Sequence, residues 1–167
     1  MSRGFTVLEL LVVVAVLAIL AGMGVAHAGR DRERLQLLSA MRSLRIGLDR
    51  GRMAAERQRQ PCGLSLTESG WQAPVDSTMP ACAAIATPLR EDAGDAVQWR
   101  SNLPSVVRFT ANGLVLDGGV VVLSHPLVPR QPCLVLSLPL GITRLGRYTA
   151  AAVDRLRSDA CRPDAHD

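Results

Sequence analysis

A single carboxylate interrupts an otherwise apolar run near the start of the chain. The run extends from Phe5 to about Ala26, and Glu9 is the only charged residue within it. A helix of about 20 apolar residues is long enough to span the hydrocarbon core of a bilayer. A charge inside such a helix costs about 3 kcal/mol or more, so it needs a partner. The run therefore predicts a membrane-spanning helix in which Glu9 has a specific role.

Two kinds of N-terminal signal fit an apolar run of this length. A secretory signal peptide would be cleaved just after the run, and Ala26-His27-Ala28 supplies a suitable small-residue site. That interpretation explains neither Glu9 nor the junction between Gly4 and Phe5. The segment from Gly4 to Val12, with the sequence GFTVLELLV, is instead similar to the type III signal of the type IV pilins and pseudopilins.

This resemblance implies a processing site and an assembly residue. A prepilin peptidase would remove residues 1–4 by cutting after Gly4, and would methylate the new N-terminal residue, Phe5. Glu9 would remain in the mature chain, where its buried carboxylate would pair with the N-terminal amine of a neighbouring subunit. It would act in assembly and not in catalysis. Major pilins usually carry a proline late in this helix; Ala26 stands there, so the weak points for bending would be Gly22, Gly24 and Gly29.

The helical pattern continues beyond the apolar run. Apolar residues recur at spacings of 4, 3, 4 and 7 on one helical face, at Leu37, Met41, Leu44, Leu48 and Ala55. Gly47 and Gly51 weaken the helix locally. Gln60-Pro61 and Cys62-Gly63 end it. The pattern predicts one helix from about Phe5 to Gln58, with residues 5–28 in the membrane or fibre core and residues 29–60 packed on a domain.

Residues 61–167 are expected to form a periplasmic β domain. Short apolar runs alternate with turn signals such as Asn112-Gly113 and Gly118-Gly119. The segment 74–95 is expected to be a variable loop, and residues 150–156 have a helix-like pattern. The fold class is α+β: a long N-terminal helix on antiparallel sheets. The predicted strands are Leu64–Thr67, Ala96–Arg100, Val106–Phe109, Val120–Ser124, Cys133–Ser137 and Ile142–Leu145.

Four cysteines in an exported chain predict two disulfides. The sequence allows three pairings and does not choose among them; closure of the shorter loops favours Cys62 with Cys82 and Cys133 with Cys161. Neither the cysteines nor the three histidines have the spacing of a zinc site. No metal and no cofactor are therefore expected.

A second resemblance lies in the C-terminal part, over the segments Val107–Leu114, Gly118–Val120 and Cys133–Ser137, followed by Gly141. These segments are similar to the FimT/GspH family, which includes minor pilins of type IV pili and the minor pseudopilin H of type II secretion. The family fold is a long helix packed on antiparallel sheets, in agreement with the pattern above.

FimT-type pilins carry a Gly-Arg-x-Arg motif that is implicated in binding DNA. The matching positions begin at Gly141, but Ile142 replaces the first arginine, so only Arg144 remains. Arg147 follows three residues later and would face the opposite side of a regular strand. The residue pattern favours solvated strand-end arginines at both positions over a contact with DNA.

Charge and composition narrow the remaining classes of function. The formal net charge is +4, and all 19 basic residues are arginine, which we attribute mainly to codon bias rather than to phosphate binding. No Ser/His/Asp set, phosphate loop or carboxylate pair is spaced for catalysis, so an enzyme is not expected. We expect a non-catalytic minor pilin of a type IV pilus, near the fibre tip. Its expected partners are the inner membrane, prepilin peptidase, other minor pilins and the major subunit. The alternatives are pseudopilin H, a DNA-binding pilin in transformation, and an enzyme with an uncleaved anchor.

Overall fold

The structure is a computed structural model that describes residues 6–74, 79–83, 87–88, 96–151 and 154–163. For residues 21–30 and 87–88 the description covers the backbone alone. Two sequence predictions, the processing junction at Gly4-Phe5 and most of the variable loop, lie outside the described residues.

One long helix, α1, occupies Val7–Gln58. The Thr6 side chain caps its first turn by accepting a hydrogen bond from the Glu9 backbone N–H. Arg59 ends it in the left-handed conformation, with φ 52° and ψ 34°, and Pro61 follows. The helix is unbroken over the 52 residues, including Gly22, Gly24 and Gly29, the weak points available for bending. The prediction of one continuous helix ending near Gln58 is confirmed.

The rest of the described chain forms two antiparallel sheets. The four-stranded sheet has the order β3-β2-β1-β5, and the five-stranded sheet has the order β4-β6-β7-β8-β9. The strands are β1 (Cys62–Thr67), β2 (Gly70–Gln72), β3 (Thr87–Pro88), β4 (Gln98–Ser101), β5 (Val107–Phe109), β6 (Gly119–Ser124), β7 (Pro132–Ser137), β8 (Ile142–Tyr148) and β9 (Cys161–Arg162). A short 3-10 turn, Ser158–Ala160, precedes β9.

The second half of α1 packs against both sheets. All five residues of the predicted helical face, Leu37 to Ala55, are buried in the main core cluster. The four-stranded sheet contributes Trp71, whose indole N–H donates to the Leu44 carbonyl at 2.8 Å. Gly47 permits this contact, because a Cβ there would overlap the Trp71 ring. Gly47 weakens the helix locally, but its lack of a side chain allows the four-stranded sheet to pack closely against the helix.

The five-stranded sheet is buried on both faces at its two central strands. Along β6, Val121 and Leu123 face the core under the helix, whereas Val120 and Val122 face a second cluster on the back of the sheet. That second cluster also contains Tyr148 and the end of the chain around Cys161. The segment after β8 thus covers the back of the sheet.

This covering segment differs from the sequence prediction. The helix-like pattern over residues 150–156 is not realised as a helix in the part of it that the structure describes, so the prediction was wrong. Its apolar residues, Ala150 and Leu156, instead pack on the back cluster. Tyr148 fixes the segment by accepting a hydrogen bond from the Arg157 backbone N–H at 3.2 Å.

The last predicted strand is longer than expected. β8 continues through Gly146 to Tyr148, three residues beyond the predicted end at Leu145. A Cβ at Gly146 would overlap the backbone of Arg162. Glycine is needed here for the close approach of the chain after β9, and the strand remains regular.

Candidate assembly surface

The candidate site begins at the first turn of α1. Glu9 lies three residues after the capping residue Thr6, and its backbone N–H donates to the threonine hydroxyl at 3.3 Å. Its side chain is exposed. Carboxylates are favoured at this end of a helix by the macrodipole. Within its own chain Glu9 therefore stabilises the helix start, and its carboxylate is accessible to a group on another molecule.

Every side chain from Thr6 to Leu20 is exposed, although most of them are apolar. The exposed fractions of the large apolar side chains range from 47% at Val13 to 77% at Val7. These residues surround the helix on all sides and do not form a single stripe, so one packed neighbour could not cover them. Such a surface is covered by lipid or by several partner helices. Among the described residues, no helix meets the length and apolarity needed to cross a membrane.

The helix joins the domain at Glu33. Its carboxylate Oε2 lies 3.0 Å from Nε2 of His125, whose side chain is almost completely buried. The other ring nitrogen, Nδ1, accepts a hydrogen bond from the Leu127 backbone N–H. Nε2 faces the Glu33 carboxylate but has no hydrogen-bond partner, because the alignment falls short of hydrogen-bond geometry. This contact marks the boundary between the exposed and the packed parts of α1.

The four cysteines form two disulfides with the pairing that the shorter loops favour. Cys62 of β1 is joined to Cys82, and Cys133 of β7 is joined to Cys161 of β9. The first disulfide fixes the loop of residues 74–95, at Cys82, to the strand that follows α1. The second fixes the last strand to the centre of the sheet, inside the back cluster.

The two arginines considered for DNA contact do not form one pocket. Arg144 is opposite Val135 in the sheet register and Arg147 is opposite Pro132, three positions apart along a regular strand. Their side chains therefore leave opposite faces of the sheet. Arg144 is also engaged, because it donates to the Ser158 carbonyl at 3.0 Å.

An ion pair that the sequence analysis missed fixes the connection before β6. The Asp117 carboxylate accepts two hydrogen bonds from the Arg108 guanidinium, both at 2.8 Å, and one from the Arg108 backbone N–H at 3.0 Å. The hydrogen bonds from Arg108 lower the pKa of the Asp117 carboxyl, with partial burial opposing them. The spacing of nine residues gave no sequence signal, because the pair forms only when the chain turns back along β5.

The sequence analysis also missed a groove between α1 and the five-stranded sheet. It has a volume of about 280 Å³ and is lined by both apolar and arginine side chains. Among the residues described, no group of three or more His, Cys, Asp and Glu side chains is placed to hold a metal ion.

Comparisons with known proteins agree with this description. Residues 1–25 match the prokaryotic N-terminal methylation motif. Over 109 residues the chain is 33% identical to type II secretion system protein H of Escherichia coli strain K12; the aligned part is 61% of this chain and 62% of that protein. The chain thus spans somewhat less than two thirds of the relative's length. No solved structure matches it significantly. The chain is thus similar to prepilin-type proteins at its N-terminus and to protein H over the aligned part.

Proposed function

We propose that the protein is a non-catalytic minor subunit of a pilin-like fibre, processed between Gly4 and Phe5. The observation that carries this proposal is the division of α1. Residues 37–55 pack within the chain's own domain, whereas residues 6–20 expose apolar side chains on all sides together with one acidic residue. A helix of this kind is stable only where lipid or other helices surround its first part.

In this proposal, the apolar surface of the first part of α1 is surrounded first by lipid and later by neighbouring subunits. Before assembly, residues 5–28 hold the protein in the inner membrane as a single span, and residues 61–167 fold in the periplasm. The two disulfides fit that compartment, because disulfides form and persist in oxidising surroundings. In the fibre, neighbouring subunits replace the lipid around the helix.

Glu9 provides the register in the fibre. A carboxylate buried among apolar helices is tolerated when a positive group pairs with it, and the processed N-terminal amine of Phe5 in the next subunit supplies that charge. We propose that this pair selects one axial position. Glu9→Val should leave the folded domain intact and prevent incorporation into the fibre, whereas Glu9→Asp should retain part of it.

The identity to protein H favours a type II secretion pseudopilus as the assembly. A FimT/FimU-like minor pilin near the tip of a type IV pilus is the other candidate, since the resemblance of the C-terminal segments covers both. Deletion of the gene separates the two: a pseudopilus subunit is needed for export of secreted proteins, and a pilus subunit for surface fibres. The placement of Arg144 and Arg147 on opposite faces gives no support to a DNA-binding function.

Mass spectrometry of the mature N-terminus tests the proposal. The expected product is a chain that begins with N-methyl-Phe5, and this form should be lost in cells without prepilin peptidase. A mature chain that begins at Met1 would indicate an uncleaved anchor. A chain that begins near Gly29 would indicate ordinary secretion, and either result would refute the proposal.

A further inference from the structure

The groove beside α1 combines an apolar floor with a positively charged rim. Its helix side is formed by about two and a half turns of α1, and its sheet side by the connection before β7, the first residue of β7 and part of β8. Leu37 and Met41 lie buried at the floor, and Leu38 is 40% exposed at the opening. The full lining is Arg34, Leu37, Leu38, Met41, Arg42, Val128, Arg130, Pro132, Leu145 and Gly146.

The charged residues that line this groove are all arginines. Three of the lining residues are arginines, and no acidic residue lines it. Arg147 lies opposite Pro132 in the sheet register, on the same face as the lining residue Leu145, and adds a fourth positive charge beside the rim. Among the residues that the structure describes, neither Arg34 nor Arg42 takes part in an ion pair. The rim therefore attracts an anionic group, and the floor favours an apolar one.

The size of the groove limits what can fill it. A volume of about 280 Å³ lies just below the range of small-molecule sites and accommodates a few side chains of a peptide segment. Arginine is suited to this task because its guanidinium binds carboxylates with two parallel hydrogen bonds.

The position along α1 argues against a lipid headgroup as the occupant. If the apolar span ends near Ala28, Arg34 lies about 9 Å further along the helix axis and Arg42 about 21 Å. The headgroup layer is only about 5–7 Å thick on each side of the hydrocarbon core. Arg34 could reach this layer, but Arg42 and the sheet side of the groove lie beyond it.

We propose that this groove binds an acidic segment with apolar side chains, carried by a neighbouring subunit of the same fibre. The inference rests on the proposed function, because it needs neighbouring subunits whose chains run beside α1. Leucine-type side chains of the segment would fill the floor, and its carboxylates would bind Arg34 and Arg42. The groove would then distinguish partners by charge, which the apolar surface of residues 6–20 cannot do.

Site-specific photocrosslinking in cells tests this directly. A photoreactive phenylalanine in place of Leu38 puts the probe in the groove. The control carries the same photoreactive phenylalanine in place of Leu35, which is 64% exposed and outside the lining. The expected product from Leu38 is a crosslink to a peptide of another prepilin-type subunit that contains at least two acidic residues, identified by mass spectrometry.

Charge reversal supplies the second part of the experiment. Arg34→Glu with Arg42→Glu should reduce this crosslink about tenfold, the effect expected for losing close interfacial ion pairs. Arg32→Glu with Arg50→Glu makes the same change in net charge at exposed positions outside the lining and should leave the yield unchanged. Reversal of the acidic residues in the captured peptide should restore the crosslink to the Arg34→Glu/Arg42→Glu chain. Circular dichroism melting of both double variants checks that the fold is retained.

Several results would overturn the inference. A crosslink from Leu38 to residues 164–167 of the same chain would show that its own acidic tail fills the groove, and a crosslinked phospholipid would show a lipid site. Equal yields in both double variants, or no crosslink at all, would exclude an acidic partner. If the same sample lacks N-methyl-Phe5, the proposed function fails; if N-methyl-Phe5 is present, only this inference fails.

Discussion

Both halves of α1 are helical, but the second half packs on the chain's own domain and the described side chains of the first half are exposed. Leu44 and Leu48, in the second half, are almost completely buried by the sheets, whereas Leu10 and Leu11, in the first half, remain about 60% exposed. The second half has one buried apolar face, formed by the residues at helical spacing from Leu37 to Ala55, whereas the first half is apolar all round and none of its described side chains is buried. Helix formation alone therefore does not decide where a residue is stabilised. The distribution of apolar residues around the helix decides whether the partner is the chain's own domain or another molecule.

The largest expected difference comes from matching leucine truncations in the two halves. Leu44→Ala should lower the free energy of unfolding of the domain by about 3 kcal/mol, because it removes a fully buried side chain from the main core cluster. Leu11→Ala should change it by less than about 0.5 kcal/mol. Urea unfolding of the full chain in detergent, followed by tryptophan fluorescence, measures both. Equal losses would show that the first half also packs on the domain.

The second test uses the close approach at Gly47. Gly47→Ala gains about 1 kcal/mol in helix propensity, but its Cβ overlaps the Trp71 ring, so a net loss of about 2 kcal/mol is expected. Arg50→Ala, at an exposed position on the same helix, is the control and should be nearly neutral. A stabilised Gly47→Ala chain would mean that the helix and Trp71 can separate without cost, and would weaken the contrast between the halves.

The third test is aimed at the boundary between the halves. Glu33→Ala removes the carboxylate that lies next to the buried ring of His125. The loss of this polar contact should lower the free energy of unfolding by about 1 kcal/mol. Hydrogen exchange should then become faster for the helix amides near Glu33 and stay unchanged near Leu48. Uniform protection along the helix in the variant would show that the boundary does not lie at this contact.

The smallest effect is expected far from the helix, at Asp117. Asp117→Asn should lower stability at pH 7 by less than about 1 kcal/mol, because the ion pair with Arg108 is partly exposed. The pKa of this carboxyl is lowered in the folded protein, so its contribution is complete above the ordinary value of about 3.9 and is lost as the pH falls through the lowered one. Unfolding midpoints at pH 7 and below pH 3 measure the difference, which should shrink in acid. Substitution of Asp117 or of its partner Arg108 should leave fibre assembly unaffected.

Local patterns in the sequence were sufficient to predict the long helix and most strands. The end of α1 followed from Pro61, the buried face from the spacing of Leu37 to Ala55, and the central strands β6 and β7 from their runs of valine and leucine. The sequence left three disulfide pairings open, and the pairing favoured by closure of the shorter loops is the one that forms. Residues 150–156 were assigned wrongly, because apolar residues at helical spacing can also cover the back of a sheet.

The candidate site was predictable only in its linear part. Glu9 and the apolar run could be found because the motif is contiguous in sequence. The groove could not, because Arg34 and Arg42 come from α1 and Arg130 from the segment before β7, and only the folded sheet brings them to one place. The same reason hides the pair of Arg108 and Asp117.

The unbroken course of α1 has a mechanical consequence. A helix of 52 residues is about 78 Å long, and hydrogen bonds between successive turns oppose its extension. Its second half is packed in the core of the β domain. A translation or rotation of the first half is therefore transmitted to the β domain through a continuous, stiff helix. If subunits move stepwise along the fibre axis as a fibre grows, each β domain moves together with the first half of its own helix. A fluorophore on the domain surface would then report every such step from outside the membrane.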